Sequence, residues 1–438
     1  MVDYRGNPVA GPLDAVVRVP GSKSVTNRAL VLAALADGTS RLGNVLFADD
    51  TSHMLAALSA LGIEVRADEA GRRVEVDGCR GHVPAGSARL VCGNSGTTIR
   101  FCTALCALGQ GRYELDGVER MRRRPIGALG EALGTLGTGI EYGGVAGYPP
   151  VIVHARGLRG GSVQLAAPES SQFISALLMV APYAGWDVRI EVREGVVSQP
   201  YLRMTTALME RFGVPILEQY DAESARLIVE VPRCYQAREL SVEPDASNAS
   251  YFLAAAAVAG GSVTVEGLSV DSVQGDVAFA DVLDRAGCQA EFVPGGLRVT
   301  GPRPGERLRG LDVDLNAMPD MVPTLAVVAI FAEGPTTVRN VANLRLKETD
   351  RLRALGTELA KLGAQVEERA DGLRIVPPTT VRPAVIDTYE DHRMAMSFAV
   401  AGLKVPGLVI RGAECCGKTF PNFFECFDRL RTGGRLAS

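Results

Sequence analysis

Six short polar clusters, each followed directly by an apolar run of helical length, recur along this chain and constrain its fold more than any other feature. An alanine- and leucine-rich run that follows small polar residues is typical of a helix with a capped first turn. Successive clusters lie about 70 to 76 residues apart, a period that indicates a repeated supersecondary module. The sequence therefore predicts six similar units, which divide simply into three for each of two domains. The clusters begin at Gly21, Gly93, Glu169, Pro244, Met318 and Glu390.

Between the helical runs lie short β-rich stretches bounded by glycines, so each unit should contain strands as well as a helix. Two helical runs, LAAAAVAGG from Leu253 and TLAVVAIFA from Thr324, are apolar on every side, which predicts helices buried on all faces. The sheets should then lie outside the helices. A doubly wound α/β fold is the alternative, but no GxGxxG motif follows an early strand, and that fold has no reason to repeat six times. The strand-like stretches are RRVEVDG, GSVQLAA, GSVTVEGL, GLRVTG and TTVRNV.

Composition limits the classes of protein and of ligand. A chain of 438 residues is too long for one ordinary core, and 47% hydrophobic with 22% charged residues is typical of a globular protein. The net charge of −4 gives no general attraction to nucleic acid or to anionic membranes, so local cations must hold any anionic ligand. The nine cysteines show no metal-binding spacing, and we expect reduced thiols and no metal site. Without a signal peptide or a membrane-spanning apolar run, we expect a cytoplasmic protein.

The polar residues at the six helix starts have a structural and a functional interpretation. Each could be an ordinary N-cap that binds free amide hydrogens. However, the same segments carry Lys23, Arg28, Arg100, Gln172 and Arg393, which a buried helix start would not otherwise tolerate. Because helix N-termini carry partial positive charge and free N–H groups, several that converge would bind a doubly or triply anionic ligand. The candidate caps are Ser24, Ser95, Ser170, Asp245, Asp320 and Asp391.

Nine segments, in order and across nearly the whole chain, resemble those of the EPSP synthase family of enolpyruvyl transferases. The resemblance implies an α/β fold, a two-domain inside-out α/β barrel, with six βαβαββ-like units, three per domain, around buried parallel helices. It also implies that residues 21–242 form the domain that binds shikimate 3-phosphate. Residues 1–20 with 243–438 would form the second domain, with the active site in the cleft between the two. The segments are VPGSKSVTNRAL, GNSGTTIR, RMRRRPIGAL, SSQFISALLM, VSQPYLRMT, DASNASYFLAAAA, RLKETDRL, DTYEDHRMAMSF and GKTFPNFFE.

The family transfers the enolpyruvyl group of phosphoenolpyruvate to the 5-hydroxyl of shikimate 3-phosphate and releases phosphate, a step of the shikimate pathway towards chorismate and the aromatic amino acids. This chemistry needs a base for the hydroxyl, an acid for the methylene carbon, and cations that hold phosphate and carboxylate groups. The resemblance implies no cofactor. The expected partners are the two small-molecule substrates, without nucleic acid or membrane, and we expect a monomer.

By resemblance, Asp320 accepts the proton of the attacking hydroxyl, Glu348 donates a proton to the methylene carbon, and Lys23 and His392 complete the catalytic set. Structural alternatives remain: Asp320 as a cap only, Glu348 and Arg351 as helix-surface partners, and His392 as a buried structural residue. The implied contacts of shikimate 3-phosphate are Lys23, Ser24, Arg28, Ser170, Ser171, Gln172, Ser198, Tyr201, Asp320, Asn343 and Lys347. The implied contacts of phosphoenolpyruvate are Lys23, Gly96, Arg124, Gln172, Arg351, Arg393 and Lys418.

The chain departs from the family pattern in the glycine-rich segment, where Ser95, Thr98 and Phe101 replace the usual residues. Sensitivity to glyphosate, the family's competitive inhibitor, is therefore left open. Within RMRRRPIGAL only Arg124 precedes the PIG turn, so Arg122 and Arg123 are predicted to be solvated.

Other functions remain as alternatives. The sister transferase that acts on UDP-N-acetylglucosamine carries a reactive cysteine, whereas the corresponding stretch LDGVERMRRRPIG has none. A transferase for another cyclitol is an alternative because acceptor choice depends on few contacts. RNA 3′-phosphate cyclase shares related repeats, but the acidic balance and the lack of a basic stripe oppose it. A non-catalytic module would not be expected to keep Lys23, Asp320, Glu348, Arg351 and Lys418 together.

Overall fold

The chain is represented by a computed structural model, whose described residues fall into five stretches. These stretches are 2–166, 170–193, 198–221, 224–303 and 305–436. Glu169 and Val197, with which two of the sequence motifs begin, lie outside them. The chain divides into two compact units: Gly21–Val242, here the middle unit, and Met1–Pro20 together with Glu243–Ser438, here the terminal unit.

Strands and helices alternate along both units. The strands are β1 (Tyr4–Arg5), β2 (Leu13–Val17), β3 (Thr39–Gly43), β4 (Glu64–Asp68), β5 (Arg73–Asp77), β6 (Ser87–Val91), β7 (Gln110–Asp116), β8 (Gly139–Tyr142), β9 (Val151–Arg156), β10 (Gly161–Ala166), β11 (Val188–Arg193), β12 (Leu217–Tyr220), β13 (Ala225–Val229), β14 (Glu239–Ser241), β15 (Gly261–Glu266), β16 (Gln289–Val293), β17 (Gly296–Thr300), β18 (Leu308–Arg309), β19 (Asp312–Asp314), β20 (Ala332–Glu333), β21 (Thr336–Arg339), β22 (Gln365–Arg369), β23 (Gly372–Val376), β24 (Val385–Asp387), β25 (Val409–Arg411) and β26 (Gly434–Leu436). The helices are α1 (Lys23–Leu35), α2 (Asp49–Ala60), α3 (Gly96–Cys106), α4 (Gly127–Thr135), α5 (Ser171–Val180), α6 (Gln199–Arg211), α7 (Ala246–Ala259), α8 (Phe279–Arg285), α9 (Val322–Ala329), α10 (Arg351–Lys361), α11 (His392–Gly402) and α12 (Phe423–Asp428). The 3-10 helices are Met121–Arg123, Ala181–Tyr183, Gly275–Ala278, Pro319–Met321, Ala342–Leu346, Ala413–Lys418 and Arg429–Thr432.

The three sheets found in the described part of the middle unit follow one plan. Their strand orders are β14-β3-β5-β4, β6-β7-β9-β8 and β10-β11-β13-β12. In each sheet the first pair is parallel, and the third and fourth strands join antiparallel. A parallel pair needs a crossover connection, usually through a helix, whereas antiparallel neighbours need only a short turn. Each sheet is therefore the strand content of one βαβαββ-like repeat.

The terminal unit repeats the same plan with additions and losses. The order β2-β15-β17-β16 carries β26 beside β2, and β19-β21-β23-β22 matches the plan directly. The third sheet keeps only the parallel pair β24 and β25, with β1 antiparallel to β25. A short parallel pair, β18 and β20, lies outside these sheets. The prediction of six related α/β repeats, three per unit, is confirmed.

Among the described residues, six helices are buried on every face and form the interior of the two units. They are α1, α3 and α5 in the middle unit and α7, α9 and α11 in the terminal unit. Strands such as β11 turn alternate residues inwards: Val188, Ile190 and Val192 are buried while Arg189 and Arg193 are exposed. The predicted arrangement, buried helices with sheets outside them, is confirmed, and each predicted strand-like stretch contains a strand, namely β5, β10, β15, β17 or β21.

Four of the six predicted N-caps are confirmed. The side chains of Ser95, Ser170, Asp245 and Asp391 accept backbone N–H groups in the first turns of α3, α5, α7 and α11.

The other two predicted caps are wrong. Helix α1 already begins at Lys23, so its cap is Ser22, and Ser24 lies inside the first turn. Asp320 lies within the 3-10 helix Pro319–Met321, through which the chain enters α9, and Met321 occupies the cap position there.

Hydroxyl groups join the three buried helices of the terminal unit. The Ser250 Oγ on α7 lies 3.1 Å from Thr324 Oγ1 on α9, which lies 3.4 Å from Ser397 Oγ on α11. All three side chains are buried, so these bonds are well shielded from water. They tie together the helices at whose amino ends the charged residues described below lie.

Candidate active site

Lys23 opens α1 of the middle unit and lies against a carboxylate that sequence reasoning missed. Its Nζ is 3.5 Å from Oδ2 of Asp50, a buried residue in the first turn of α2. An acidic neighbour at this distance restricts where the ammonium can go. The acidic pair in ADDTSH could have indicated Asp50, but two acidic residues are equally typical of the first turn of an ordinary helix.

Arg28 is enclosed within the middle unit. Its Nε donates to Thr205 Oγ1 at 2.7 Å, and its Nη2 donates to Ser175 Oγ and to the Tyr201 carbonyl. The guanidinium carbon lies 5.3 Å from the centroid of the Phe101 ring, within cation–π range. Burial lowers the pKa of Arg28 to about 10, which still leaves it charged near pH 7. In this structure Arg28 joins α1, α5 and α6, and its contact with shikimate 3-phosphate stays a prediction.

The first turns of α3 and α5 are joined side by side. Arg100 Nη1 lies 2.6 Å from Gln172 Oε1 and 3.4 Å from Ser170 Oγ, and Gln172 Nε2 donates to Thr97 Oγ1 at 3.1 Å. Ser170 and the following Ser171 thus stand beside a guanidinium at the amino end of α5. Helix N–H groups, hydroxyls and a guanidinium together are the donors that bind a phosphate.

Gly96 makes room for Arg124 at the start of α3. Arg124 Nη1 donates to the Asn94 carbonyl at 3.3 Å, and a Cβ built on Gly96 would lie 2.6 Å from Arg124 Nη2. The buried guanidinium therefore rests directly on the glycine backbone. Arg122 and Arg123 are exposed and pair with neighbouring carboxylates.

Ser198 stands at the cap position of α6 in a left-handed conformation, with φ of 56°. A residue with a Cβ reaches this region at a cost of about 1–3 kcal/mol, and such residues cluster at functional sites. The side chain is buried. This backbone outlier is consistent with the predicted phosphate contact of Ser198 and Tyr201, which follows in the first turn of α6.

In the terminal unit, Arg351 is surrounded by three carboxylates. Its Nε lies 2.7 Å from Asp391 Oδ2, its Nη1 2.9 Å from Asp320 Oδ1, and its Nη2 2.9 Å from Glu348 Oε2. The side chain is 1% exposed. Burial alone would lower the pKa of Arg351, but Asp391, Glu348 and Asp320 outweigh it and hold the pKa above its usual value. Direct contact between Arg351 and phosphoenolpyruvate stays a prediction; the observed bonds position Asp320 and Glu348 on one guanidinium.

Further cations complete the surroundings of these two carboxylates. Asp320 Oδ2 lies 2.7 Å from Arg393 Nη2, and its Oδ1 lies 3.8 Å from Lys347 Nζ. Glu348 Oε1 lies 3.1 Å from Lys418 Nζ. Each of the two carboxylates therefore lies against cations from more than one segment of the terminal unit.

Asn343 and His392 occupy different surroundings. Asn343, in the 3-10 helix Ala342–Leu346, has a buried Oδ1 with no hydrogen-bond partner among the described residues, so an acceptor is available there. His392 is the first residue of α11 and is 1% exposed, with its Nδ1 3.7 Å from Asp391 Oδ1. That distance is too long for a hydrogen bond. Asp391, which caps α11 and binds Arg351, was missed as a site residue although it lies in DTYEDHRMAMSF.

Comparison with known proteins identifies the family. The sequence profile of EPSP synthase (3-phosphoshikimate 1-carboxyvinyltransferase) matches residues 9–427. A 3-phosphoshikimate 1-carboxyvinyltransferase of Trichormus variabilis is 48% identical over 96% of this chain and 97% of its own length. The enzyme of that name from Thiobacillus denitrificans is also 48% identical, over 94% of this chain and 96% of its own. The chain belongs to the EPSP synthase family. It is accordingly a transferase of the shikimate pathway that acts on 3-phosphoshikimate.

Solved structures agree with the EPSP synthase fold. The EPSP synthase of Acinetobacter baumannii matches with a TM-score of 0.78 and 25% identity, over 98% of both chains. The enolpyruvyl transferase NikO of Streptomyces tendae matches with a TM-score of 0.73 at 18% identity, over 98% of this chain and 96% of its own, a likeness of fold alone. Among the described residues, no helix is long and apolar enough to cross a membrane.

Membership of the EPSP synthase family gives the two sets of residues a common purpose. The middle unit supplies helix N-termini, hydroxyls, Lys23 and Arg124, which suit phosphate and carboxylate groups. The terminal unit supplies Asp320 and Glu348 held between cations, which suit proton transfer.

Proposed function

We propose that Asp320 is the general base and Glu348 the general acid of the transfer. The observation that carries this assignment is their shared position on Arg351, where Asp320 and Glu348 bind adjacent nitrogens of one buried guanidinium. Two carboxylates fixed in this way keep a constant separation. A pair of proton-transfer groups needs such a fixed geometry on opposite sides of the reacting bond.

The proposed reaction has an addition step and an elimination step. In the addition, the 5-hydroxyl oxygen of shikimate 3-phosphate bonds to C2 of phosphoenolpyruvate, its proton passes to Asp320, and Glu348 gives a proton to C3. In the elimination, C3 returns a proton to Glu348, the C2–O bond to phosphate breaks, and the leaving phosphate takes the bonding electrons and the proton held by Asp320. Atoms balance without a cofactor, and no side chain has to become covalently attached.

Substrate binding itself would give Glu348 its proton. Glu348 Oε1 lies 3.1 Å from Lys418 Nζ, and Lys418 is a cation that the phosphoenolpyruvate anion would engage. Once an anion competes for Lys418, the carboxylate of Glu348 loses part of its stabilisation and its affinity for a proton rises. Glu348 thus becomes an acid only when phosphoenolpyruvate is bound.

The remaining predicted residues bind the substrates. Lys23, Arg124, Arg393 and Lys418 would hold the phosphate and carboxylate of phosphoenolpyruvate. The first turns of α5 and α6 would hold the 3-phosphate of the acceptor, and Asn343 and Lys347 would hold its ring hydroxyls. Both units would then serve the same pair of substrates.

Inorganic phosphate release tests this function. Purified protein is mixed with phosphoenolpyruvate and shikimate 3-phosphate, with UDP-N-acetylglucosamine as the parallel acceptor, and release should depend on shikimate 3-phosphate. Lys23→Ala and Asp320→Ala should keep the circular dichroism spectrum and lose about 10²-fold or more in turnover. Arg123→Ala, in an exposed ion pair, is the matched control and should retain full activity. Full activity in both site variants would show that the residue assignments are wrong.

The monomeric state, the cytoplasmic location and the lack of nucleic-acid binding remain proposals from the sequence. Size-exclusion chromatography with light scattering measures the mass in solution, for which we expect that of one 438-residue chain.

A further inference from the structure

The turn that leads into α11 has a backbone conformation that its residues do not favour. Tyr389 has φ of 54° and Glu390 has φ of 56°, so two successive residues with a Cβ lie in the left-handed region. The Asp391 N–H closes the turn on the Thr388 carbonyl at 2.9 Å. Positive φ at both central positions is the pattern of a type I′ turn, which glycine, asparagine and aspartate favour. Tyrosine and glutamate therefore need support from their surroundings to hold this turn.

A buried carboxylate of α10 gives that support. The Tyr389 hydroxyl donates to Glu358 Oε1 at 2.6 Å, and the Asp387 N–H donates to Glu358 Oε2 at 3.0 Å. Glu358 is fully buried, and its Oε2 also lies 2.7 Å from Lys361 Nζ on the same helix. Tyr389 itself is 42% exposed. Its hydroxyl bond, more than the packing of its ring, therefore ties the turn to α10.

The other end of the turn is tied to the first residue of α10. Asp391 Oδ2 lies 2.7 Å from Arg351 Nε, and Asp391 Oδ1 lies 3.2 Å from Arg351 Nη2. Residues seven apart lie on one face of a helix, so Arg351 and Glu358 share one side of α10. Residues 387–391 thus bridge two attachment points that are about 10 Å apart along the helix axis.

The two bonds from Asp391 fix the orientation of the Arg351 guanidinium. Two parallel N–H···O bonds restrict the plane of a guanidinium more than a single bond does. The same plane binds Asp320 through Nη1 and Glu348 through Nη2, each at 2.9 Å. A shift of Asp391 would therefore change the position of both carboxylates.

We propose that Tyr389 is a positioning residue for the two proton-transfer carboxylates. Its hydroxyl bond to α10 holds the strained turn, and the turn holds Asp391 on Arg351. The inference rests on the roles proposed above for Asp320 and Glu348, which that guanidinium positions. Without the hydroxyl bond the turn can relax out of the left-handed region, and Asp391 moves with it.

Tyr389→Phe removes only the hydroxyl group and tests the proposal directly. Glu358 keeps its other two contacts and much of the ring is exposed, so the variant should fold. Its kcat should fall about tenfold, because small displacements of reacting groups slow a reaction strongly, while the KM for shikimate 3-phosphate should stay within about twofold of wild type. Tyr4→Phe is the matched control. The Tyr4 hydroxyl donates to Asp428 Oδ1 at 2.8 Å in the same unit, and its loss should leave kcat unchanged.

Two other substitutions of Tyr389 separate the backbone strain from the lost hydrogen bond. Tyr389→Ala and Tyr389→Gly both lose the hydroxyl, but only glycine adopts a positive φ without strain. The alanine variant should lose about tenfold in kcat, whereas the glycine variant should stay within about threefold of wild type. Arg80, an exposed residue of the middle unit with φ of 52°, is the control. Arg80→Ala and Arg80→Gly should have the same kcat.

Three results would contradict the inference or its basis. A Tyr389→Phe protein with a lower melting temperature but the kcat of wild type would show that the hydroxyl bond only stabilises the fold, and would overturn the proposal. Equal kcat values for the alanine and glycine variants would overturn it as well. Asp320→Asn separates these results from the assignment of the base: undiminished turnover there refutes the base, whereas a normal loss there with full kcat in Tyr389→Phe refutes only the positioning role.

Discussion

Replacing Arg351 by methionine is expected to destabilise the terminal unit strongly as well as abolish activity. The substitution keeps much of the side-chain volume but leaves three carboxylates without their shared cation. The side chain of Asp391 is fully buried, and those of Glu348 and Asp320 are 7% and 15% exposed. Water can therefore replace little of the lost interaction.

The magnitude follows from this burial. Breaking one buried ion pair by removing one partner costs about 3–5 kcal/mol, and here one guanidinium serves three partners. For a unit of this size each kcal/mol lowers the melting temperature by about 2–4 °C, which gives a decrease of at least about 6 °C. The decrease in melting temperature should be smaller at pH 5 than at pH 8. Protons can neutralise carboxylates that have lost Arg351 in the folded variant, and a folded state that binds more protons gains stability as the pH falls.

Thermal melts at both pH values test the expected loss of stability, and hydrogen exchange shows which part of the chain loses it. Peptides from α10 and α11 should lose protection while those of the middle unit should keep theirs. Arg339→Met is the matched control, because Arg339 forms an ion pair of the same 2.7 Å length with Asp312 but on the surface. Exposed ion pairs of this kind rarely contribute measurably to the free energy of unfolding. An Arg351→Met protein that melts with wild type at both pH values would refute the reasoning.

Two further substitutions test the middle unit. Gly96→Ala should raise the KM for phosphoenolpyruvate about tenfold, because the new Cβ displaces Arg124, and should leave the KM for shikimate 3-phosphate unchanged. Gly134→Ala places its Cβ in open space on α4 and is the control in the same kinetic assay. Asp50→Asn should lower kcat/KM about tenfold because Lys23 is no longer held, and the exposed neighbour Asp49→Asn should behave as wild type in the same assay.

The sequence predicted the fold well because each repeat is marked by a local pattern, a polar cluster followed by an apolar run of helical length. A helix that is apolar on all sides, such as α7 or α9, has only one environment available to it, the interior. The cap prediction failed at Ser24 because GSKS contains two serines, and the local pattern does not decide which one lies outside the first turn. It failed at Asp320 because Pro319 and the tight 3-10 turn move the start of the helix past the aspartate.

The site was less accessible to sequence reasoning because its ion pairs join distant segments. Motif resemblance pointed to Arg351 and Asp320, but nothing local indicates that Asp391, forty residues further on, binds the same guanidinium. Asp50 presents the same difficulty, because it lies in an ordinary acidic stretch and only tertiary packing brings it to Lys23.

The same repeat yields two different electrostatic sites through the residues that cap its helices. In the middle unit the caps of α1, α3 and α5 are the hydroxyls of Ser22, Ser95 and Ser170, which satisfy an N–H group without adding charge. The partial positive charge of those helix ends therefore remains available to a phosphate. In the terminal unit Asp245 and Asp391 cap α7 and α11 and offset that charge with their own. The buried carboxylate of Asp391 has the buried guanidinium of Arg351 beside it, so the charge at the start of α11 is balanced by an ion pair instead of being left positive.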